Sequence, residues 1–347
     1  MKGDKKMKQI ETVNAVGHVL CHDITRIVKD VVKDTPFRKG HVVTKEDIPV
    51  LLSIGKEHLY VWEKKEGMLH EDEAAEILYD ICKNDNMSAG EIKEGKIEIK
   101  ADIDGLFRVD VDRLNAINDL DDIMIATRHT NYAVKKGDKL AGARVIPLII
   151  EEEKLKEAQK VAGDKPLLEL LPYKKMKAGI VTTGSEVYHG RIKDTFTPVV
   201  VNKLKEYGIE VCWHEIVDDK NEMIVGAIKK IKESGADLIL CTGGMSVDPD
   251  DLTPGAIKKS GANIVQYGAP VLPGAMFLLG YFEDGTPIMG LPGCVMFSRA
   301  TALDLVLPRV AAGVKVTKKD INRMGHGGLC FSCKVCTYPR CEFGKGV

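Results

Sequence analysis

Three loops rich in glycine and acid recur between residues 176 and 313, each placed after a run of residues patterned as a β-strand. They are Thr182-Thr183-Gly184-Ser185-Glu186, Thr242-Gly243-Gly244-Met245-Ser246-Val247-Asp248-Pro249-Asp250-Asp251 and Gly290-Leu291-Pro292-Gly293. Open α/β sheets bind their ligands at the carboxyl ends of the strands, where loops of this kind converge. Glycines let backbone N–H groups approach an anion closely, and neighbouring carboxylates suit a divalent cation. The recurrence points to a phosphorylated small molecule handled with the help of a metal.

The surrounding pattern alternates strand and helix. Residues 178–182, 209–217, 236–241, 264–267 and 287–289 read as strands, and 198–207, 221–234, 253–260 and 294–312 as helices. Gly208, Gly235 and Gly261 stand where helix C-caps belong. The expected fold class is α/β, with a three-layer, mostly parallel sheet. Smaller α+β regions are expected before it and a cysteine-rich tail after it. The expected divisions are 1–65, 66–172, 173–315 and 316–347.

Upstream, residues 10–20 read as a short amphipathic helix. Thr44 reads as the N-cap of a helix from Lys45 to Gly55, followed by the strand Leu59-Tyr60-Val61-Trp62. Residues 71–84 form a helical pattern with Ala74, Ile77, Leu78 and Ile81 on one face. Short alternating runs follow at 97–100 and 106–109, then a strand at 144–150 and a charged connector at 151–160.

Composition narrows the partners. Among 347 residues, 50 basic against 51 acidic side chains leave no electrostatic footprint for nucleic acid or anionic lipid. The basic start (Lys2, Lys5, Lys6, Lys8) is followed by no apolar run of a secretory signal. The longest apolar stretch, 269–282, is broken by Pro270, Pro273, Gly274 and Gly280 and is too short to span a bilayer. A cytoplasmic protein without nucleic-acid or membrane partners is expected.

Of nine cysteines, Cys21, Cys82, Cys212, Cys241 and Cys294 are dispersed, and Cys212 and Cys241 read as reduced core residues. The other four form Cys330-x₂-Cys333-x₂-Cys336-x₄-Cys341. In a reducing compartment this spacing reads as a metal site rather than as disulfides. An iron–sulfur cluster and a zinc ion both suit it, with a redox-active or metal-free tail as the remaining alternative.

The segment 176–313 resembles the molybdopterin-binding domain of molybdenum cofactor biosynthesis proteins. The resemblance rests on Gly179-Ile180-Val181-Thr182-Thr183-Gly184-Ser185-Glu186, Gly190-Arg191-Ile192-Lys193-Asp194-Thr195 and Asp218-Asp219. It extends to Gly243-Gly244-Met245-Ser246-Val247 with Asp251, and to Gly290-Leu291-Pro292-Gly293. Within that superfamily the molybdopterin molybdenumtransferase branch is most similar. Residues 11–25 resemble its opening helix, and 37–62 the segment before its binding domain.

The resemblance implies insertion of molybdate into the dithiolene of adenylyl-molybdopterin, with Mg²⁺-assisted cleavage of the AMP phosphoanhydride. It assigns Glu186, Asp194, Asp218 and Asp251 to catalysis. It assigns Thr183, Gly184, Ser185, Gly243, Gly244, Ser246, Pro292 and Gly293 to ligand binding. It further implies a homodimer and a molybdenum enzyme as partner. Beside these roles stand plainer ones: Asp218-Asp219 and Asp251 also suit helix caps, and Asp250 a solvated turn.

The chain departs from the family pattern at several positions. Ala275 stands in Leu272-Pro273-Gly274-Ala275-Met276 where a lysine is expected, Cys294 and Val295 follow the Leu-Pro-Gly motif, and Phe196 follows Asp194-Thr195. Cys294 is read either as a thiolate at a helix start or as a buried spectator. Three other functions stay open: adenylyl transfer from ATP to molybdopterin, a non-catalytic molybdopterin carrier, and a nucleotide pyrophosphatase relative.

Overall fold

A computed structural model describes residues 8–28, 32–61 and 67–346. The chain divides into two compact units, one of residues 1–103, 108–130 and 135–170, the other of 104–107, 131–134 and 171–347.

The second unit is built on a six-stranded sheet. Its strands are β1 (Lys177–Thr183), β2 (Glu210–Val217), β3 (Leu238–Thr242), β4 (Asn263–Tyr267), β5 (Leu278–Tyr281) and β6 (Pro287–Leu291). Their spatial order is β2-β1-β3-β6-β5-β4. The first four in that order run parallel, whereas β5 is antiparallel to both β6 and β4. The sheet is mostly parallel, as expected, with β5 as its one reversed strand. The apolar stretch 269–282 contains β5, a strand that turns the chain back and makes β4 an antiparallel edge.

Strands β3 and β6 are buried along their whole length, as continuous apolar runs covered on both faces should be. A single helical turn, α1 (Ser185–Tyr188), follows β1, and the covering helices are α2 (Phe196–Lys205) and α5 (Ala302–Ala311) on one face, and α3 (Asn221–Glu233) and α4 (Thr253–Lys259) on the other. On the first face Val200, Leu204, Leu303 and Val306 meet Ile180, Leu240 and Met289. On the second, Ile224, Ile228 and Ile257 meet Val181, Ile239 and Ile288. Gly208, Gly235 and Gly261 do end helices, each with positive φ.

Expected 294–312 is not one helix. Gly293–Met296 forms a 3-10 turn, and α5 starts only at Ala302, where Thr301 and Asp304 close a reciprocal capping box. Past α5, a short helix, Lys318–Arg323, leads into the cysteine tail. The tail is held by backbone bonds from Leu272 N to the Gly328 carbonyl and from Cys330 N to the Leu272 carbonyl, and by burial of Phe343.

In the first unit, Lys8–Glu11 is a strand paired antiparallel with His58–Val61, followed by a 3-10 turn at Thr12–Asn14. The helix expected at 10–20 does not form. Thr12 N donates to the Glu57 carbonyl and its Oγ1 to the Lys56 carbonyl, so tertiary pairing overrides the local amphipathic pattern. The helix expected from Lys45 runs Asp47–Ser53, and its Asp47 carboxylate accepts from Thr44 N at 2.8 Å. Trp62 lies outside the described residues.

In place of the connector expected at 151–160 there is a helix, Glu152–Ala162, with Leu155, Ala158 and Ala162 buried. The strand expected at 144–150 is split into Lys139–Val145 and Ile149–Glu151. Pro147, which has no N–H to give a ladder, lies in the break. The expected helix at 71–84 runs Glu71–Cys82.

Candidate functional site

The parallel register sets where the loops emerge. Thr183 stands opposite Val217, Thr182 opposite Thr242, and Thr242 opposite Leu291. The loops after β1, β2, β3 and β6 therefore leave the sheet at one edge. From β1 the chain passes to α2 on one face, and from β3 to α4 on the other. Neighbouring loops that part to opposite faces leave a crevice between them, the place where open α/β sheets take ligands.

Glu186, Asp194, Asp218 and Asp251 all sit at this rim, but they divide by what their carboxylates already do. Asp218 is only 6% exposed; its Oδ1 accepts from Ser185 Oγ at 2.5 Å and from Asp219 N at 3.0 Å. Its Oδ2 lies 3.0 Å from Lys220 Nζ. Asp219 accepts from Ser185 N at 2.7 Å. The Asp218-Asp219 pair thus ties the loop after β1 to the loop after β2. Capping of α3 is not its work, since that helix shows no side-chain cap.

The Ser185 and Lys220 hydrogen bonds pull the Asp218 carboxyl down to about 2. A depressed carboxyl stabilises the fold above its unfolded pKa of about 3.9, and that contribution is lost as pH falls through the folded value. The tie between the loops is expected to hold at neutral pH and to release between about pH 4 and pH 2. A carboxyl ¹³C NMR titration of Asp218 with its midpoint near 4 would contradict this.

Asp194 also holds structure. Its Oδ1 accepts the N–H groups of Phe196 and Thr197 at 2.9 and 3.0 Å, and its Oδ2 accepts from Thr197 Oγ1 at 2.5 Å. Burial pushes its pKa up, but these hydrogen bonds and His214 together hold it below the ordinary value. Thr182 Oγ1 lies 3.0 Å from both Thr197 Oγ1 and His214 Nε2, and Thr242 Oγ1 donates to it at 3.3 Å. Sequence reasoning quoted Thr182 and Thr242 in the loop motifs without giving them a role, and it overlooked Thr197 and His214.

Glu186 and Asp251 differ from these. Among the described residues neither side chain has a hydrogen-bond or ion-pair partner. Asp251 Oδ1 lies 3.6 Å from the point where a side chain on Gly244 would begin. Burial first, and the Asp251 charge second, raise the pKa of Tyr267, whose hydroxyl donates to the Met245 carbonyl at 2.9 Å. Tyr267 and Thr253, which donates from Oγ1 to the Gly243 carbonyl at 2.8 Å, brace the loop and were not singled out from sequence.

The loop after β3 presents the donors. Gly243 and Gly244 have φ of +86° and +54°, which reverses the chain directly after the strand. The N–H groups of Gly244, Met245, Ser246 and Val247 donate to no protein acceptor among the described residues. Thr183, Gly184 and Ser185 face the same crevice edge from β1. Pro292 is buried and Gly293 exposed at the end of β6. Buried at the start of α3, Asn221 Oδ1 has no hydrogen-bond partner.

No three His, Cys, Asp or Glu side chains among the described residues gather to hold a metal ion. The acids at the rim therefore do not fit a protein-built magnesium site, with Asp194 and Asp218 engaged elsewhere. The same holds for the tail. Cys330 and Cys341 are half-buried against the core, whereas Cys333 and Cys336 are exposed, and the four thiols are not gathered in this structure as the expected iron–sulfur or zinc cluster would require. Cys294 lies in the 3-10 turn, not at a helix start, and burial raises its pKa, which disfavours the thiolate. Cys212, expected in the core, is exposed on the edge strand β2.

Residues 179–312 match the family described as "Probable molybdopterin binding domain". This segment belongs to that family. The molybdopterin-binding-type domain spans β1 to α5 and contains every loop of the rim. Residues 9–63 match a second family, described as a domain of unknown function. A CinA-like protein of Mycobacterium avium is 36% identical over 83 residues, which is 24% of this chain and 19% of that protein. A CinA-like protein of Mycobacterium tuberculosis is 38% identical over the same length and the same shares. The chain thus spans about a fifth of the length of the curated relatives it matches.

Among solved structures, the molybdopterin biosynthesis enzyme MoaB of Thermus thermophilus is 24% identical, covering 40% of this chain and 97% of that one at a TM-score of 0.33. A molybdenum cofactor biosynthesis protein of Pyrococcus furiosus is 15% identical, covering 90% of this chain and 66% of that one at a TM-score of 0.27. No helix among the described residues is long and apolar enough to cross a membrane.

Proposed function

We propose that the chain binds adenylyl-molybdopterin at the carboxyl rim and acts in molybdenum cofactor biosynthesis, releasing AMP as molybdate is inserted. The observation that carries this is the pairing of free donors with free carboxylates at one crevice. The N–H groups of residues 244–247 have no protein acceptor among the described residues, Asp251 Oδ1 lies beside Gly244, and Glu186 stands in the loop after β1 at the same edge of the sheet. In the proposed reaction a water oxygen bonds to the adenylate phosphorus as the bridging P–O bond breaks, giving AMP, and molybdopterin phosphate leaves with the bridging oxygen. The loop amides offset the charge that builds on the phosphoryl oxygens, and Asp251 takes the nucleophile's proton. Asn221 Oδ1 is an acceptor suited to a pterin N–H.

One observation favours a carrier that binds molybdopterin without turnover. The 272–276 loop, where the family places a lysine, has Ala275 instead, and its Leu272 is tied to Gly328 and Cys330 of the tail. Incubating the purified protein with adenylyl-molybdopterin and molybdate separates the two. AMP release is the expected outcome. Tight binding without AMP supports the carrier, and failure to bind the pterin nucleotide removes both.

A further inference from the structure

A second cavity opens at the other end of the same sheet, and neither its position nor its residues belong to the rim. It has a volume of about 350 Å³ and lies where β1, β3 and β6 begin, among Met176, Asp237 and Pro287, and where β5 ends at Tyr281. That volume falls at the small end of the range seen for ligand sites, roughly 300–1,000 Å³.

Its charge is the informative part. Lys174, Lys175 and Lys315 line it, and none of the three makes an ion pair among the described residues. Of the two acids in the lining, Asp284 is already paired with a lysine outside it, and Asp237 keeps its charge, so three cations face one uncompensated carboxylate. Asp284 is met by Lys232 at 2.6 Å and accepts from Thr286 N at 3.1 Å, and Lys232 above all holds its carboxyl down at about 2. Asp237 accepts from Lys177 N at 2.8 Å. Three cations around one concavity in a chain of almost balanced charge repel one another, and an anion between them removes that repulsion.

The neighbouring groups suit such an anion. Tyr281 is 8% exposed, accepts from Val316 N at 3.0 Å through its hydroxyl oxygen, and keeps its own proton because burial raises its pKa. That proton has no acceptor among the described residues and is free to bond an oxyanion. Lys315 Nζ lies 5.7 Å from the Tyr281 ring centre. Gly313, at φ +76°, leaves the space that the end of Lys174 fills, so any larger residue there would displace the ammonium. Met176, Pro287 and Val310 supply apolar wall for the rest of a ligand.

We propose that this cavity is a second ligand site, taking a phosphate monoester of mononucleotide size, with Lys174, Lys175 and Lys315 holding the phosphate and Tyr281 donating to it. The site is independent of the rim and of the function assigned there.

The test uses AMP and the full-length chain in isothermal titration calorimetry at low ionic strength. The triple variant Lys174→Ala/Lys175→Ala/Lys315→Ala changes exposed side chains and is expected to keep the unfolding midpoint. It is expected to weaken one class of AMP binding at least tenfold, whereas Asp251→Asn at the rim leaves that class unchanged. Raising the salt concentration should weaken the same class. Identical isotherms for the wild type and the triple variant, or loss of all AMP binding in Asp251→Asn alone, would overturn the proposal.

Discussion

Gly243→Ala is expected to lower the urea midpoint well below that of the wild type and to abolish ligand binding at the rim. Gly243 has φ of +86°, a conformation that costs an L-residue about 1–2 kcal/mol. Its missing side chain also faces the end of β1. A methyl there would collide with the Thr183 carbonyl oxygen and stand 2.8 Å from Thr183 Oγ1. Those atoms belong to a buried parallel strand that cannot retreat, and overpacking of this kind adds roughly 1–3 kcal/mol.

The total of about 2–5 kcal/mol should appear as a shift of midpoint without a change in slope. Gly226→Ala is the matched control. Gly226 lies inside α3 with nothing within 4 Å of the new methyl, so the same chemical change should stabilise by about 0.5–1 kcal/mol. Equal midpoints for Gly243→Ala and wild type would show that the loop is not locked against β1.

Asp251→Asn is expected to cut AMP release roughly 10²–10⁴-fold, the usual span for loss of a proton acceptor, while leaving the fold intact. The side chain has no partner to lose among the described residues, and the backbone bond from Asp251 N to the Asp248 carbonyl does not depend on it. Stability should therefore stay within about 0.5 kcal/mol of wild type, as at ordinary surface positions. The two readouts must separate. Unchanged AMP release would take Asp251 out of the chemistry, and a large fall in stability would give it a structural role instead.

The contrast between the rim acids shows how far residue patterns reach. Glycine after a strand, followed by acid, located the loops after β1 and β3, because a sharp reversal favours glycine whatever surrounds it. The same pattern placed Glu186, Asp194, Asp218 and Asp251 on equal footing. Their difference depends on Ser185, Lys220, Thr197 and His214, which lie between two and 33 positions away in the chain. A carboxylate's availability is set by which donors reach it, and no local pattern encodes that. The tail shows the same limit: spacing grouped four thiols, but Cys330 and Cys341 pack on the core while Cys333 and Cys336 face solvent.

Residue order alone determined that the segment from β1 to α5 alternates strand and helix, because fully apolar runs broken by glycine-capped helices suit a sheet covered on both faces. It likewise determined which loops end the parallel strands. Only the tertiary structure decided that β5 runs against the other strands, and that Ile10 and Glu11 pair in a strand where a helix was expected from residue 10. It alone decided that two of the four rim acids are already spent on holding loops. Each of these depends on partners distant in sequence, whose hydrogen bonds and packing outweigh the weak local preferences of short segments.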